Sequence, residues 1–468
     1  MSTPAQMHQN ALVCLRRDLR LHDNTALIAA LRQSRSVSVC FVLDPVQTAE
    51  HDWRSNPGLA FMLESLALLD DALSAIGSGL MILQGNPVDA LGSLFEQGDF
   101  DALYLNMDYT PFAMQRDAHL MELCNNSGVV LHASHDALLT IPGEVMTGGG
   151  TPYQVFTPFH KAAARIPVPA PQAFLHAGKL APVSASHRNI YRQTLQALRT
   201  IPSPVAAGRG GAMKALEQLV EMEDYQQHRD VPARNATSHL SVHLKFGTLS
   251  VREVYQTICL SLHAEHPLLR QLYWRDFFSH IAFHHPQVFG SAFHQRFNAI
   301  EWRQDEPNFK AWCMGQTGFP IIDAGMRELK ETGFMHNRVR MITASFLVKD
   351  LHIDWRRGEA WFARHLVDYD PAVNNGNWQW AASTGCDAQP WFRIFNPWLQ
   401  QKRFDAECDY IKRWVPELIE FPASVIHQWH KHSVVQHAYP RSIVDHATQA
   451  RQAKALYSSA ANNKEGLQ

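Results

Sequence analysis

From Ala11 onward, short apolar runs alternate with longer amphipathic stretches. ALVCL (11–15), VSVCFVL (37–43), LMIL (80–83), ALYLN (102–106) and GVVLHA (128–133) have the length of strands, with helical patterns such as NTALIAAL (24–31) and LAFMLESLALLDDAL (59–73) between them. Apolar strands separated by helices imply right-handed βαβ crossovers and a parallel sheet covered on both faces. Residues 1–135 are therefore expected to form a doubly wound α/β domain.

The pattern changes twice further on. Across 136–205, prolines crowd into IPVPAPQAF (166–174), LAPVSAS (180–186) and IPSPV (201–205), which break both helix and sheet and predict a long linker wrapped over the surface. Beyond Ala206 helical periodicity takes over. Pro320 opens IIDAGMRELKET, Gly333 stops it, and NRVRMITASFLVKD (337–350) follows with apolar positions at Val339, Ile342 and Phe346. Residues 206–468 are expected as an all-α domain. The glycine runs at 77–79, 148–150 and 208–211 lack the strand–turn–helix spacing of a dinucleotide loop and read as turns.

Composition narrows the function classes. A chain of 468 residues with 46% hydrophobic and 18% charged content is globular and long enough for two or three domains. A formal net charge of −2 excludes a uniformly basic nucleic-acid coat, so any DNA binding must come from a local patch. Cys14, Cys40, Cys124, Cys259, Cys313, Cys386 and Cys408 are scattered without a C-x-x-C, which predicts buried thiols and no metal site. MSTPAQMHQN lacks the charged and apolar regions of a leader, and no apolar run approaches the roughly 18 residues of a membrane span. The expected location is cytoplasmic.

Two stretches suggest chemistry. TSHLSVHLKFGTLS (237–250) sets Thr237, Ser238 and Ser241 where helices are expected to begin, an arrangement suited to a diphosphate but commoner as ordinary capping. In VNNGNWQWAASTG (373–385), a helix from about Asn377 would point Trp378 and Trp380 roughly 200° apart. The two tryptophans cannot share one task.

Taken with LRRDLRLHDNTAL (15–27), YWRDFFSHI (273–281), TGFPIIDAGMRELKETGFMHNRVRMITASFLVKDLHIDW (317–355) and DYDPAVNNGNWQWAASTGCDAQPWFRIFNPW (368–398), the chain closely resembles the photolyase/cryptochrome family. Within it, the resemblance is to the bacterial class I cyclobutane pyrimidine dimer photolyases, and it covers essentially the whole length. It implies a non-covalent, U-shaped FAD in the helical domain, active when fully reduced, with light driving an electron into damaged DNA. Carried over position by position, Tyr225, Thr237, Ser238, Leu240 and Ser241 match phosphate-side contacts, Arg275 an arginine beside the diphosphate, and Arg340 with Asp368 and Asp370 the polar edge of the ring. Asn374 matches the neighbour of flavin N5, where an amide oxygen can accept a hydrogen bond without adding charge.

Trp302, Trp355 and Trp378 match a relay that feeds electrons to photoexcited oxidised flavin. Trp380 and Trp274 match walls of the lesion pocket, with Asn337 and Met341 beside them, while Arg229, Lys245, Arg338, Arg393, Lys402 and Arg403 match or neighbour phosphate contacts. Asn106 and Asp108 are the expected contacts of an antenna chromophore, methenyltetrahydrofolate or 8-hydroxy-5-deazaflavin. One position departs from the pattern: Gln271 stands where class I enzymes usually have a glutamate, and it can bond a base edge but cannot lend a proton. Six-four photolyases tend to have Gln there but carry a histidine pair near His336, and Arg340 occupies the position one turn further on.

The expected function is light-driven repair of cyclobutane dimers in UV-damaged DNA, double- or single-stranded, by a monomer without an obligate protein partner. A cryptochrome-like photoreceptor and a six-four photolyase are the alternatives; the short, polar-fringed end HATQARQAKALYSSAANNKEGLQ (446–468) speaks against the long tail of a signalling protein.

Overall fold

Strands His8–Leu15 (β1), Ser34–Leu43 (β2), Leu80–Gln84 (β3), Ala102–Asn106 (β4) and Val130–Ser134 (β5) form one parallel sheet in the order β3-β2-β1-β4-β5. They coincide with the five apolar runs. The structure, a computed structural model, describes residues 8–199, 203–234, 236–431 and 439–462. Its chain divides into two compact units, one of residues 1–153, 157–223 and 238–283, the other of 154–156, 224–237 and 284–468.

In the first unit, β1 is paired on both sides, with Val13 opposite Val39 and Tyr104. Such a central strand is buried on both faces, which explains its unbroken apolar run. The winding reverses between β1 and β4, the place where open α/β sheets bind ligands at the carboxyl ends of their strands. Helices Leu240–Phe246 and Val251–Ser261, and Pro267–His284 up to Phe283, belong to this unit. Arg252 reaches from them into the sheet's loops, 2.8 Å from both Asp23 and Asp136, while Arg20 lies 2.6 Å from Asp136. Burial would raise the Asp136 carboxyl, but the two guanidiniums outweigh it and hold the group well below the usual carboxylate range.

The second unit is helical around a core that includes Trp312, Ile321, Phe346, Trp355 and Trp378. Helix Pro320–Thr332 ends at left-handed Gly333, and Asn337–Lys349 is capped by His336, whose side chain accepts from the Arg338 N–H. No described helix is long and apolar enough to cross a membrane.

Four local expectations need correction. The 136–205 stretch contains helices Phe156–Ala163 and Ala185–Leu198. The second forms because no proline interrupts 183–201 and Ser184 caps its start; residues 200–202 lie outside the described set. Residues 208–211 open helix Gly208–Glu217 rather than making a turn, and a Cβ on Gly211 would meet the Ala206 carbonyl oxygen at 2.1 Å. Helix Leu240–Phe246 starts after left-handed His239 with no side-chain cap, so the nearby hydroxyls do not serve as its N-cap. The tryptophan helix begins at Pro371, six residues earlier than expected, because Asp370 accepts from the N–H groups of Ala372 and Val373 and Pro371 suits the first turn. Residues 463–468, the expected polar fringe, lie outside the described set.

Candidate functional site

Helix Pro371–Ala382, packed against helix Trp355–His365, carries Asn374 and is capped by Asp370. Asn374 Nδ2 donates to the Glu359 carbonyl oxygen at 3.1 Å. A carbonyl can only accept, so the amide nitrogen must face it and the Asn374 oxygen is turned the other way. Asn375 Nδ2 donates to Glu359 Oε1 at 2.9 Å and to the Val288 carbonyl at 3.0 Å, and Gln379 Nε2 donates to the Val288 and Ser291 carbonyls at 3.0 and 3.1 Å. Buried, fully bonded amides of this kind lock the helix in register.

Arg340 meets Asp368 through two bonds of 3.2 and 3.1 Å, and its Nε donates to the Met335 carbonyl at 2.7 Å. The pair is a fork rather than a solvated surface charge. Asp370, on the same connection, uses Oδ1 as the helix cap. Burial pushes the Glu359 carboxyl up to about 8, with the Asn375 hydrogen bond and Arg356 opposing it too weakly. Glu359 is therefore a neutral acid at neutral pH, and no fixed negative charge is added at this place.

Trp378 is 2% exposed, while Trp380 is half-buried and packs at the edge of the same core. Trp378 packs edge-on against Phe362 at 4.9 Å and Trp312 at 6.2 Å. Its close approach depends on Gly358, where a Cβ would meet Trp378 Cη2 at 2.2 Å. Trp355 lies in the same core, with Trp302 packed against it and Tyr457 6.2 Å from the Trp302 ring. Asn337 and Met341 are one turn apart and touch, with the amide 3.7 Å from the sulfur.

The expected phosphate contacts differ in character. Arg393, Lys402 and Arg403 are exposed. Arg338 pairs with Asp230 at 2.9 Å and lies over the Phe404 ring at 4.3 Å, so it is committed within the protein. Arg229 sits over Tyr225 at 5.3 Å. Thr237 precedes the start of helix Leu240–Phe246 in the chain.

In the first unit, Ser238 Oγ lies 3.5 Å from the Leu240 N–H, and Leu240 is buried while Ser241 is exposed. Arg275 donates to the Ala137 and Leu244 carbonyls at 2.5 and 3.1 Å. Trp274 packs on Phe278 at 5.4 Å, and Gln271 lies one turn before it, half-buried. At the reversal of the sheet, Asn106 does not fit its expected antenna role. Its amide nitrogen donates to Asp18 at 2.6 Å and to Asn24 at 2.9 Å, and its oxygen accepts from the Ala26 N–H at 3.0 Å, so the side chain is spent on the framework. Asp108 accepts from Arg17 at 3.2 Å; burial would raise its carboxyl, but Arg17, Lys245, Arg116 and Arg16 outweigh that and hold it low. Arg16 Nε is buried without a partner.

Sequence reasoning missed Gly358, Glu359, Asn375, Gln379 and Trp312. An isolated glycine inside a helix pattern was the one signal for Gly358, and the others look like ordinary helix residues.

The residues of the second unit fit an FAD ring: an acceptor amide with its oxygen turned outward, an Arg–Asp fork, and a buried tryptophan. Comparison with known proteins agrees. Residues 11–173 match the family model of DNA photolyase, and residues 268–459 match that of the FAD binding domain of DNA photolyase. The deoxyribodipyrimidine photo-lyase of Escherichia coli (strain K12) is 38% identical over 97% of this chain and 99% of its own, and that of Halobacterium salinarum 36% identical over 95% and 98%. A bacterial class III photolyase from Agrobacterium tumefaciens superposes with a TM-score of 0.88 at 35% identity, covering 99% of both chains. An archaeal photolyase from Sulfolobus tokodaii, solved with two FAD molecules, gives a TM-score of 0.88 at 40% identity over 96% of this chain and 100% of that one. With relatives this similar across nearly their full length, the chain belongs to the DNA photolyase/cryptochrome family.

Proposed function

We propose that the protein is a light-driven DNA repair lyase that splits cyclobutane pyrimidine dimers. The observation that carries this reading is the Asn374 amide, fixed by Glu359 so that a neutral acceptor oxygen is available to an N–H of reduced flavin. When bound and fully reduced, an FAD held by Asn374, Arg340 and Asp368 would supply one photoexcited electron to the dimer and take it back after the two cyclobutane bonds open, a redox-neutral exchange. The protein's residues hold and tune that exchange. Arg340, forked to Asp368, offers positive charge near the ring edge without leaving an unpaired buried ion. Tyr225, Thr237, Ser238, Leu240, Ser241 and Arg275 are assigned to the phosphate side, and Asp370 to the ring's polar edge.

Gln271, Trp274, Asn337, Met341 and Trp380 are assigned to the flipped-out lesion, with aromatic faces for its bases and amides for its carbonyl edges. The six-four reading is weakened by His336: its Nδ1 accepts the Arg338 N–H within a cap, and the ring is 4% exposed. Arg229, Lys245, Arg393, Lys402 and Arg403 are assigned to DNA phosphates, which gives salt-dependent binding from a near-neutral protein acting as a monomer.

An antenna chromophore is placed beside Asp108 in the first unit. The ionised Asp108 carboxylate can accept from ring N–H groups, and the Arg16 Nε–H can donate to a ring carbonyl oxygen, which suits either methenyltetrahydrofolate or 8-hydroxy-5-deazaflavin. Absorbance of chromophore released from the purified holoprotein identifies it.

The test of the function is loss of dimer from a thymine-dimer oligonucleotide with the flavin reduced beforehand, in blue light against darkness. Light-dependent loss supports the reading; equal outcomes in light and dark, with flavin bound, overturn it.

A further inference from the structure

Two histidines of the first unit aim the same ring nitrogen at each other. His8 opens β1 and His132 lies in the middle of β5, the edge strand, with β4 between them. Their Nε2 atoms are 3.0 Å apart, and the ring planes cross at 71°. Tyr104 of β4 packs on both: its ring stacks on His132 at 4.4 Å and 17° and meets His8 edge-on at 6.2 Å, while its hydroxyl donates to Gln33 at 2.8 Å. Behind His8, the Asp101 carboxylate stands 3.9 Å from Nδ1 and accepts from the N–H groups of Gln9 and Asn10 at 2.8 and 3.1 Å. Both histidines are half-buried, so the pair is partly open to water.

We propose that His8 and His132 form a two-histidine site for a divalent late transition ion, Cu(II) or Zn(II), which clips β1 to the edge strand. An ion ~2.0–2.1 Å from each nitrogen sets two imidazole nitrogens ~2.9 Å apart at a right angle and ~3.3 Å apart at the tetrahedral angle. The observed spacing falls between these values, and imidazole is a ligand that both ions favour. Among the described residues no group of three or more His, Cys, Asp or Glu side chains could hold a metal, so water completes the coordination here. The cysteine pattern, which predicts no metal site, is silent on a histidine pair 124 positions apart.

The proton count closes. Without metal the two Nε2 atoms share one proton, because two facing lone pairs repel. On binding, that proton moves to Nδ1 of its own ring, and both Nε2 lone pairs turn to the ion with no net proton released. On His8 that Nδ1 faces Asp101, and a carboxylate behind a ligating imidazole fixes this tautomer. β1 runs from His8 to Leu15, which puts the pair at the other end of the strand from Arg16. The ion therefore acts on the stability of the first unit, by binding the folded state and not the unfolded chain.

The test uses full-length, untagged, FAD-loaded protein, stripped of metal with a chelator, at pH 8, where ordinary imidazoles are neutral. Wild type, H8Q, H132Q and the exposed-site control H119Q are titrated with Cu(II) buffered by glycine and with Zn(II) by calorimetry. Copper electron paramagnetic resonance counts the nitrogen ligands. The expected result is one equivalent of ion in wild type and H119Q, with two protein nitrogens on copper and a melting temperature raised by zinc; H8Q and H132Q lose all three. Flavin absorption and the metal-free melting temperature check that each variant folds, and if H132Q does not fold, H8Q, changed at the first residue of β1, decides. Isotherms for H8Q that match wild type, or no one-equivalent binding in wild type, overturn the site and leave the pair as a hydrogen bond alone.

Discussion

Asn374 donates its amide N–H to the Glu359 carbonyl at 3.1 Å, and that bond decides which end of the amide can face a flavin. Asn374→Asp would put a carboxylate at a place where Glu359 is held neutral. The added charge opposes charge on a reduced ring by roughly 1–3 kcal/mol. A spectroelectrochemical titration should therefore show a lower flavin midpoint potential in N374D; an unchanged potential would remove Asn374 from the ring's neighbourhood.

Gly358 leaves room for Trp378, since a Cβ would meet Leu347 Cδ2 at 2.5 Å as well as the indole. Gly358→Ala should overpack the helix contact at a cost of about 1–3 kcal/mol and displace the indole. The expected outcome is a lower melting temperature and slower flavin photoreduction, with repair by chemically reduced protein much less affected. Photoreduction at the wild-type rate would contradict the packing argument.

Burial lifts the Glu359 carboxyl from 4.5 to about 8, so between those values the folded protein holds a proton that the unfolded chain has released. That contribution to stability is fully present below 4.5 and is lost as pH rises through about 8. Asp276, Asp323 and Asp350, each pushed up by burial to about 6, act with the same sign but over a lower range. Glu359→Gln cannot ionise and keeps an acceptor for Asn375. Its melting temperature should fall less steeply than that of wild type between neutral pH and about pH 8, a difference on the order of a few kcal/mol over the full window. Parallel curves would show that Glu359 is ionised in the native state.

Gln271 can hold a base edge but cannot donate a proton or counter a developing charge. Gln271→Glu is expected to raise the quantum yield of dimer repair with little change in DNA affinity. An unchanged yield would make the glutamine neutral for this lesion.

The sheet was legible because each strand contains a short, largely apolar run between helical patterns, and Val13 and Val39 pair as such runs should. The helices from Pro320 to Lys349 were legible through Pro320, Gly333 and regular apolar spacing. The different burial of Trp378 and Trp380 follows from their spacing of two positions, although the helix begins at Pro371 through a cap at Asp370 that was read as a site residue alone. Long-range contacts were not legible. Nothing local marks Gly358 as the seat of an indole, or joins Gln379 to the Ser291 carbonyl 88 positions away. Asn106 misled for the same reason, since its polar type suggested a ligand while its partners Asp18 and Asn24 come from a distant loop.

The most direct measurement is blue-light repair, by protein with chemically reduced FAD, of matched duplexes carrying either a thymine cyclobutane dimer or a six-four photoproduct. The account predicts that the cyclobutane dimer alone is restored. Restoration of the six-four product, or of neither lesion by protein that retains its flavin, would contradict it.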